Sequence, residues 1–214
     1  MSTQIEQKLR FYHSPCISDT ELVALFKHST PHARWSLVKR ALAKGDLIQL
    51  KRGLYYLGHQ LTQQKPSLYE LAAKIYWPSY VSLESALSYH GLIPEAVYMT
   101  TCVTSKRSKH FDTPLGVFDY HRLPSQPFFT AVERIQENKY VSFMATPWKA
   151  LCDFVYCRKK TWKNLDPLIH DLRIDLKDLP ELTQTLVSIL KATYKNSRIE
   201  RFLDGVYKEL KNEY

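Results

Sequence analysis

Seven side chains near the start of the sequence have the chemistry to bind an anion. Five are Lys or Arg, which pair with phosphate oxygens, and the other two are a His and a Ser that can bond a phosphate or a base edge. They fall into two groups, at residues 32–40 and 51–52. The seven are His32, Arg34, Ser36, Lys39, Arg40, Lys51 and Arg52.

The distribution of charge also indicates an anionic partner. The 214 residues carry a net charge of +9, and residues 1–60 hold nine Lys/Arg against four Asp/Glu. More than half of the excess therefore lies in little more than a quarter of the chain. Such a concentration is typical of nucleic-acid binding, whereas a basic balance alone also serves solubility. The 44% hydrophobic content excludes a disordered tail protein.

The first basic group lies on a predicted helix from Thr30 to Gly45. Thr30 can cap its first turn, Pro31 suits the first helical position and Gly45 suits the end. Helical spacing places two sets of residues on opposite faces. The inner face holds Arg34, Leu37, Val38, Ala41 and Leu42, and the outer face holds His32, Ser36, Lys39, Arg40 and Ala43.

The second basic group lies at the turn of a predicted hairpin. Residues 47–50 and 54–57 read as strands, and Lys51-Arg52-Gly53 reads as the turn between them. Two helices precede this unit, at residues 3–12 and from the capping box Ser18–Glu21. This order predicts a winged helix-turn-helix domain over residues 1–60, and a three-helix bundle with an added hairpin is the alternative.

The tryptophan on the Thr30 helix has a different predicted role. Trp35 lies at the edge of the apolar face, where most Trp side chains pack against a neighbouring element. We therefore predict that Trp35 packs and does not contact a base.

A polar stretch at residues 60–65, ending at Pro66, predicts a linker to a second domain over residues 66–214. Strands are predicted at residues 79–82, 98–104, 116–123 and 139–145, with helices among them, so the fold class is α/β (α+β) with a mixed sheet. Residues 105–113 read as a loop. From Trp162 onward the pattern predicts a helical tail, whose last helix has a capping box at Ser197–Glu200.

Catalytic, metal and cofactor motifs are not evident in the sequence. Cys16, Cys102, Cys152 and Cys157 have no metal-binding or redox spacing and are expected to be buried thiols. The strongest enzymatic alternative is a nuclease, which the spacing does not support. Its metal site would use Glu84, Asp112, Asp119 and Lys149. We predict a non-enzymatic protein.

Basic residues recur in the second domain. Lys106, Arg107 and Lys109 lie in the predicted loop and are candidates for a second acidic or nucleic-acid contact. Those at residues 158–163 follow a helix, where the macrodipole favours cations. Lys149 and Asp153 are four residues apart, which predicts a weak surface ion pair.

Four segments resemble the AbiEi-type antitoxin and transcriptional regulator family. They are YVSLESALSYHGL (residues 80–92), GVFDYHRL (116–123), MATPWKALCDFVY (144–156) and, in the hairpin, GDLIQLKRGLYYL (45–57). The resemblance covers residues 15–160. It implies an antitoxin of a type IV toxin-antitoxin system that represses its own operon at inverted repeats and neutralises a nucleotidyltransferase-like toxin. It also implies that a basic face of the second domain takes part.

The expected partners are therefore double-stranded operator DNA and the cognate toxin, engaged directly or indirectly. A transcription factor with a ligand-sensing α/β domain is the alternative. No signal segment or membrane span is evident, so a cytoplasmic location is expected.

Overall fold

The computed structural model describes residues 4–12, 14–137 and 139–213. The fold is mixed α/β, as predicted, and it divides into two compact units. The first unit comprises the chain up to Pro66 with Phe111–Gly116, and the second comprises Ser67–His110 with Val117–Tyr214. Each unit is described by itself below.

The first unit combines three helices with a small antiparallel sheet. Its elements are α1 (Gln4–Arg10), β1 (Cys16–Ser18), α2 (Asp19–Leu25), α3 (Pro31–Lys44), β2 (Leu47–Lys51) and β3 (Leu54–Leu57). The sheet has the order β1-β3-β2. Its core is apolar and includes Leu9, Ile17, Leu22, Val38 and Tyr55. This packing fixes which face of α3 is left outside.

The predicted elements of the first unit match the structure closely, with one addition. The capping box at the start of α2 is complete, because Ser18 Oγ accepts from the Glu21 N–H at 3.3 Å and Glu21 Oε2 accepts from the Ser18 N–H at 2.7 Å. The addition is β1, which pairs with β3 and was not predicted. Of the predicted first helix, Thr3 lies outside the described residues.

The second unit is built on a mixed sheet with the strand order β6-β7-β5-β4-β9-β8, in which residues 111–113 of β6 and Gly116 of β7 are the ones assigned to the first unit. Its strands are β4 (Ser79–Val81), β5 (Met99–Thr104), β6 (Lys109–Thr113), β7 (Gly116–Arg122), β8 (Val132–Glu137) and β9 (Tyr140–Ala145). β5 runs parallel to β7 and β4 parallel to β9, while β4–β5 and β8–β9 are antiparallel.

The helices described in the second unit are α4 (Leu68–Ile75), α5 (Leu83–Tyr89), α6 (Pro147–Cys157), α7 (Asp166–His170), α8 (Gln184–Tyr194) and α9 (Ser197–Glu213). A short 3₁₀ turn covers Leu176–Asp178. The apolar stripe of α9 is buried at Ile199, Phe202, Leu203 and Val206. Helix α9 therefore docks within this unit.

Two predictions for the second unit were wrong, and one strand, β8, was not predicted. The loop predicted at residues 105–113 contains strand β6, so Lys109 lies on a strand. The capping residue of α9 is Asn196, not Ser197, because Asn196 Oδ1 accepts from the Arg198 N–H at 3.0 Å. Asn is an equally good cap, and it precedes the predicted one by a single residue.

Candidate nucleic-acid interface

Helix α3 is fixed at both ends by the residues that the sequence indicated. Thr30 Oγ1 accepts from the Ala33 N–H at 3.2 Å, and Pro31 occupies the first turn. Gly45 adopts the left-handed conformation with φ +80°, and its N–H reaches the carbonyls of Ala41 and Leu42. The helix is thus held in a defined position and length.

The outward face of α3 is cationic. His32, Lys39 and Arg40 are exposed, whereas Val38 and Ala41 on the opposite face are buried. Ser36 is half-buried, and its carbonyl accepts from Arg40 Nε at 3.3 Å. This bond holds the base of the Arg40 guanidinium along the helix.

Arg34 has a structural bond as well as a positive charge. It is half-buried, and its Nη1 donates to the Ser29 carbonyl at 3.1 Å in the turn between α2 and α3. A guanidinium has five N–H donors, so this bond leaves others available. Among the seven predicted residues, Arg34 is thus the one that joins α3 to the preceding turn.

The hairpin turn carries Lys51 and Arg52 and is attached to the start of α2. The Asp19 N–H donates to the Gly53 carbonyl at 3.0 Å. Gly53 has φ +76°, and a Cβ there would lie 2.9 Å from Asp19 Oδ2. The positive φ therefore favours glycine at this turn, and the Asp19 carboxylate would have to move aside for any other residue. Arg52 is exposed and Lys51 is half-buried.

Some cations of the first unit are neutralised internally and others are not. Lys44 Nζ lies 2.8 Å from Glu6 Oε2 and 3.6 Å from Asp46 Oδ2, and the Glu6 hydrogen bond raises the pKa of Lys44. Within residues 4–12, 14–137 and 139–213, no carboxylate forms an ion pair with Lys39, Arg40 or Arg52. The uncompensated charge therefore lies on the outer face of α3 and on the turn.

The prediction that Trp35 packs against a neighbouring element was wrong. Its side chain is 56% exposed, beside a shallow depression that includes Val23, Pro31 and Arg34. Helical spacing placed Trp35 at the edge of the apolar face, and in the first unit no described element covers that edge.

The basic residues predicted to form a contact in the second domain, Lys106, Arg107 and Lys109, surround Tyr76 of the second unit. Lys106 Nζ and Lys109 Nζ lie 5.5 and 5.8 Å from the centre of the Tyr76 ring, and the Tyr76 hydroxyl donates to the Arg107 carbonyl at 3.2 Å. Both distances suit a cation–π interaction. The three basic side chains are exposed, so the predicted residues form one cationic patch.

Lys149 and Asp153 were predicted to form a surface pair, and this prediction was wrong. Both side chains are 0% exposed, and Lys149 Nζ lies 2.7 Å from Asp153 Oδ1. Helix α6 is buried at every residue from Trp148 through Val155. Apart from Lys149 and Asp153 this stretch is apolar, which is typical of a core helix, and that signal was available in the sequence.

Hydroxyl groups complete the bonding of this buried pair. Ser82 Oγ and the Tyr80 hydroxyl donate to Asp153 Oδ2 at 2.7 and 3.1 Å. The Tyr194 hydroxyl bonds to Asp153 Oδ1 and accepts from Lys149 Nζ at 2.8 Å. Burial, together with the Asp153 carboxylate, raises the pKa of Tyr80 and Tyr194 far above the usual value. Both hydroxyls therefore remain protonated donors.

The other residues of the nuclease alternative are also held by neighbours or lie apart. Glu84 Oε1 accepts from Arg158 Nε and Nη2 at 3.0 and 2.7 Å. Asp119 lies 2.9 Å from His121 Nε2 and 3.6 Å from His110 Nδ1, and Asp112 is exposed. In the described part of the chain, His, Cys, Asp and Glu form no group of three with metal-binding geometry. Of the four cysteines, Cys16, Cys102 and Cys152 are buried, and Cys157 is half-buried.

None of the described helices combines the length and the apolar character needed to cross a membrane. Comparison with known families and proteins gives no relative from which a role could be read. No protein-family model matches this chain, and no curated protein matches it.

Proposed function

We propose that the first unit is a winged helix-turn-helix that binds double-stranded DNA. Helices α2 and α3 would form the helix-turn-helix, with α3 as the recognition helix and the β2–β3 hairpin as the wing. The observation that carries the proposal is the uncompensated positive charge of Lys39, Arg40 and Arg52 on two elements that the same core holds in place.

The dimensions of α3 suit the major groove. Its 14 residues extend over about 21 Å, and a helix fits the groove width of about 12 Å. Lys39, Lys51 and Arg52 would contact phosphates, with His32 beside the helix N-terminus. Ser36 or Arg40 would contact a base edge, and Arg34 would add a phosphate contact with its remaining donors.

We further propose that the protein is an antitoxin and autorepressor, located in the cytoplasm. This part rests on the sequence resemblance, supported by the exposed cationic patch of Lys106, Arg107 and Lys109 in the second unit. Two copies on inverted repeats would place their recognition helices about one DNA turn, 10–10.5 base pairs, apart. The second unit would neutralise a nucleotidyltransferase-like toxin.

The DNA-binding proposal is tested by removing two cations from α3 in the full-length protein. We expect Lys39→Ala with Arg40→Ala to weaken binding to a duplex from upstream of the gene, measured by fluorescence anisotropy. Each lost phosphate contact lowers the salt slope by about 0.9, so a slope smaller by up to about 2 is expected.

A matched control is available on α9. Arg201 is exposed and its Nε donates to the Ser197 carbonyl at 3.1 Å, as Arg40 Nε does to Ser36, and Lys208 is an exposed lysine of the same helix. Arg201→Ala with Lys208→Ala removes the same charge and should leave the salt slope unchanged. Equal effects of the two double variants would show that α3 is not the recognition helix.

The antitoxin proposal is tested by co-expressing the protein with the product of the adjacent gene. Replacing Lys106, Arg107 and Lys109 by Ala should reduce growth rescue, while Lys39→Ala with Arg40→Ala should lose repression and retain rescue. A neighbour unrelated to nucleotidyltransferases, or full rescue by the triple variant, would contradict this role for the patch and favour a ligand-sensing transcription factor.

A further inference from the structure

A polar cavity of about 220 Å³ lies within the second unit, apart from the patch around Tyr76. Four parts of the chain form it: the turn before β6, the end of β7, the end of α6 and the first turn of α9. Its lining residues are Ser108, His121, Arg122, Tyr156, Cys157, Lys159 and Arg198. Water occupies about 30 Å³ per molecule in the liquid, so the cavity has room for a phosphate group and part of its carrier.

The cavity is strongly cationic. Its lining contains Arg122, Lys159 and Arg198, and within the described ranges no carboxylate pairs with any of them. The nearby Glu84 is bound to Arg158, and the nearby Asp119 to His121. Arg122 and Lys159 are exposed and Arg198 is half-buried, so an anion from solution has access to all three and would reduce the repulsion between them.

Two other lining groups supply no negative charge. Burial raises the pKa of the Cys157 thiol to about 12, so it remains a neutral thiol. Burial also lowers the pKa of His121, although Asp119 opposes this shift, and a neutral imidazole carries no negative charge. The thiol and the imidazole therefore leave the positive potential of the cavity intact.

The backbone places Lys159 in a conformation that usually belongs to glycine. The Lys159 N–H donates to the Tyr156 carbonyl and the Lys160 N–H to the Val155 carbonyl, which ends α6 with Lys159 at φ +54°. A lysine in the left-handed region costs about 1–2 kcal/mol relative to the right-handed one. The two backbone bonds thus fix the helix end that brings Lys159 to the lining of the cavity.

The other donors are also held in place. The Arg198 guanidinium lies 5.7 Å from the centre of the Tyr156 ring, which in turn lies 6.1 Å from the Tyr194 ring. Tyr194 is bonded to the buried Asp153. Ser108 Oγ accepts from the Arg122 N–H at 2.9 Å, which leaves the Ser108 O–H able to donate.

We propose that this cavity is a phosphate-binding site, in which Arg122, Lys159, Arg198 and the Ser108 hydroxyl contact the phosphate oxygens. Arginine binds phosphate with two parallel N–H bonds, and lysine adds a compact charge. The phosphate belongs either to a free mononucleotide or to a nucleic-acid backbone. The site is independent of the proposed role of α3, because it lies in the second unit.

The test uses full-length protein and calorimetric titration with inorganic phosphate, AMP and a short DNA duplex. The duplex is titrated in the Lys39→Ala, Arg40→Ala background, so that the contribution of α3 is reduced. We expect saturable binding of at least one probe, weakened about tenfold or more by Lys159→Gly and by Arg198→Gln. Because glycine favours the left-handed conformation, Lys159→Gly removes the charge without unfolding the turn.

Lys195→Gly is the matched control. Lys195 also ends a helix, α8, with φ +47°, and it does not line the cavity. It should leave affinity unchanged. If Lys159→Gly loses the binding of phosphate and AMP, the ligand is a free nucleotide. If Lys159→Gly loses only the binding of the duplex, the ligand is a nucleic-acid phosphate. Absence of binding at millimolar concentration for all three probes, or equal effects of Lys159→Gly and Lys195→Gly, would overturn the proposal.

Discussion

Helices α3 and α6 both start at a Thr-Pro pair, and both carry charged residues. Lys39 and Arg40 of α3 are exposed, whereas Lys149 and Asp153 of α6 are fully buried. The two threonines differ as well. Thr30 caps its helix, but the Thr146 side chain makes no cap bond and donates to the Ala131 carbonyl at 3.1 Å.

This difference shows that the residues that start a helix do not determine whether the helix is buried. Thr-Pro sets the first turn through local geometry, whichever element packs on the helix later. The rest of the helix determines its burial: α3 is buried on one face, at Val38 and Ala41, while α6 is buried at every residue from Trp148 through Val155. Charges on α3 are available to a partner, and those on α6 stabilise one arrangement of the core.

The largest expected effect is the loss of the buried pair. Asp153→Ala leaves the Lys149 ammonium in the core with only hydroxyl and aromatic neighbours, and we expect unfolding to become easier by about 3–5 kcal/mol. Urea unfolding followed by tryptophan fluorescence measures this. Lys74→Ala breaks an ion pair of the same i,i+4 spacing, with Lys74 Nζ 3.0 Å from Glu70 Oε1 near the surface. For Lys74→Ala we expect the unfolding free energy to fall by only about 0.3–0.5 kcal/mol. An equal loss of stability in Asp153→Ala and Lys74→Ala would contradict the burial of Lys149.

The next largest effect is expected for Gly205→Ala in α9, where the change in stability should have the opposite sign from that in an isolated helix. Gly205→Ala should stabilise an isolated helix by up to about 1 kcal/mol. In this structure a Cβ at residue 205 would lie 1.6 Å from the Lys163 carbonyl oxygen. Helix α9 would have to move, so we expect a destabilisation of about 1–3 kcal/mol, measured by thermal unfolding. A raised Tm would show that α9 does not pack this closely.

A smaller effect is expected at the cap of α3. Thr30→Ala removes the bond to the Ala33 N–H and should cost about 1 kcal/mol in unfolding free energy. Thr30→Ser keeps an acceptor oxygen and should restore most of this stability. If Thr30→Ser is as unstable as Thr30→Ala, the hydroxyl does not cap the helix.

The smallest effect on stability is expected for the cations of α3. Lys39→Ala and Arg40→Ala should each change the unfolding free energy by less than about 0.5 kcal/mol, because both side chains are exposed and pair with no described carboxylate. The same variants should weaken DNA binding. A stability loss above about 1 kcal/mol would place these residues in the fold and not at an interface.

Local signals in the sequence predicted much of the fold. The caps at Thr30 and Gly45 and the capping box of α2 depend on neighbouring residues, and all three are confirmed. Strands β1, β6 and β8 were missed. β1 has only three residues, too few for alternation to appear, and β6 and β8 are edge strands whose sequences, KHFDT and VERIQE, are mostly polar.

The sites were predicted less completely, because they depend on residues far apart in the chain. Ser82, Asp153 and Tyr194 meet through three-dimensional packing, as do Arg122 and Arg198. No spacing rule connects them. The outer face of α3, by contrast, follows from helical periodicity within 14 residues.

Lysine footprinting tests the central claim most directly, because it reports on both kinds of lysine in one experiment. The full-length protein is acetylated with and without the operator duplex, and modified lysines are quantified by mass spectrometry. We predict that Lys39 reacts in the free protein and is protected by the duplex, that Lys208 reacts equally in both, and that Lys149 reacts in neither. A bound duplex that leaves Lys39 as reactive as before would contradict the proposed role of α3.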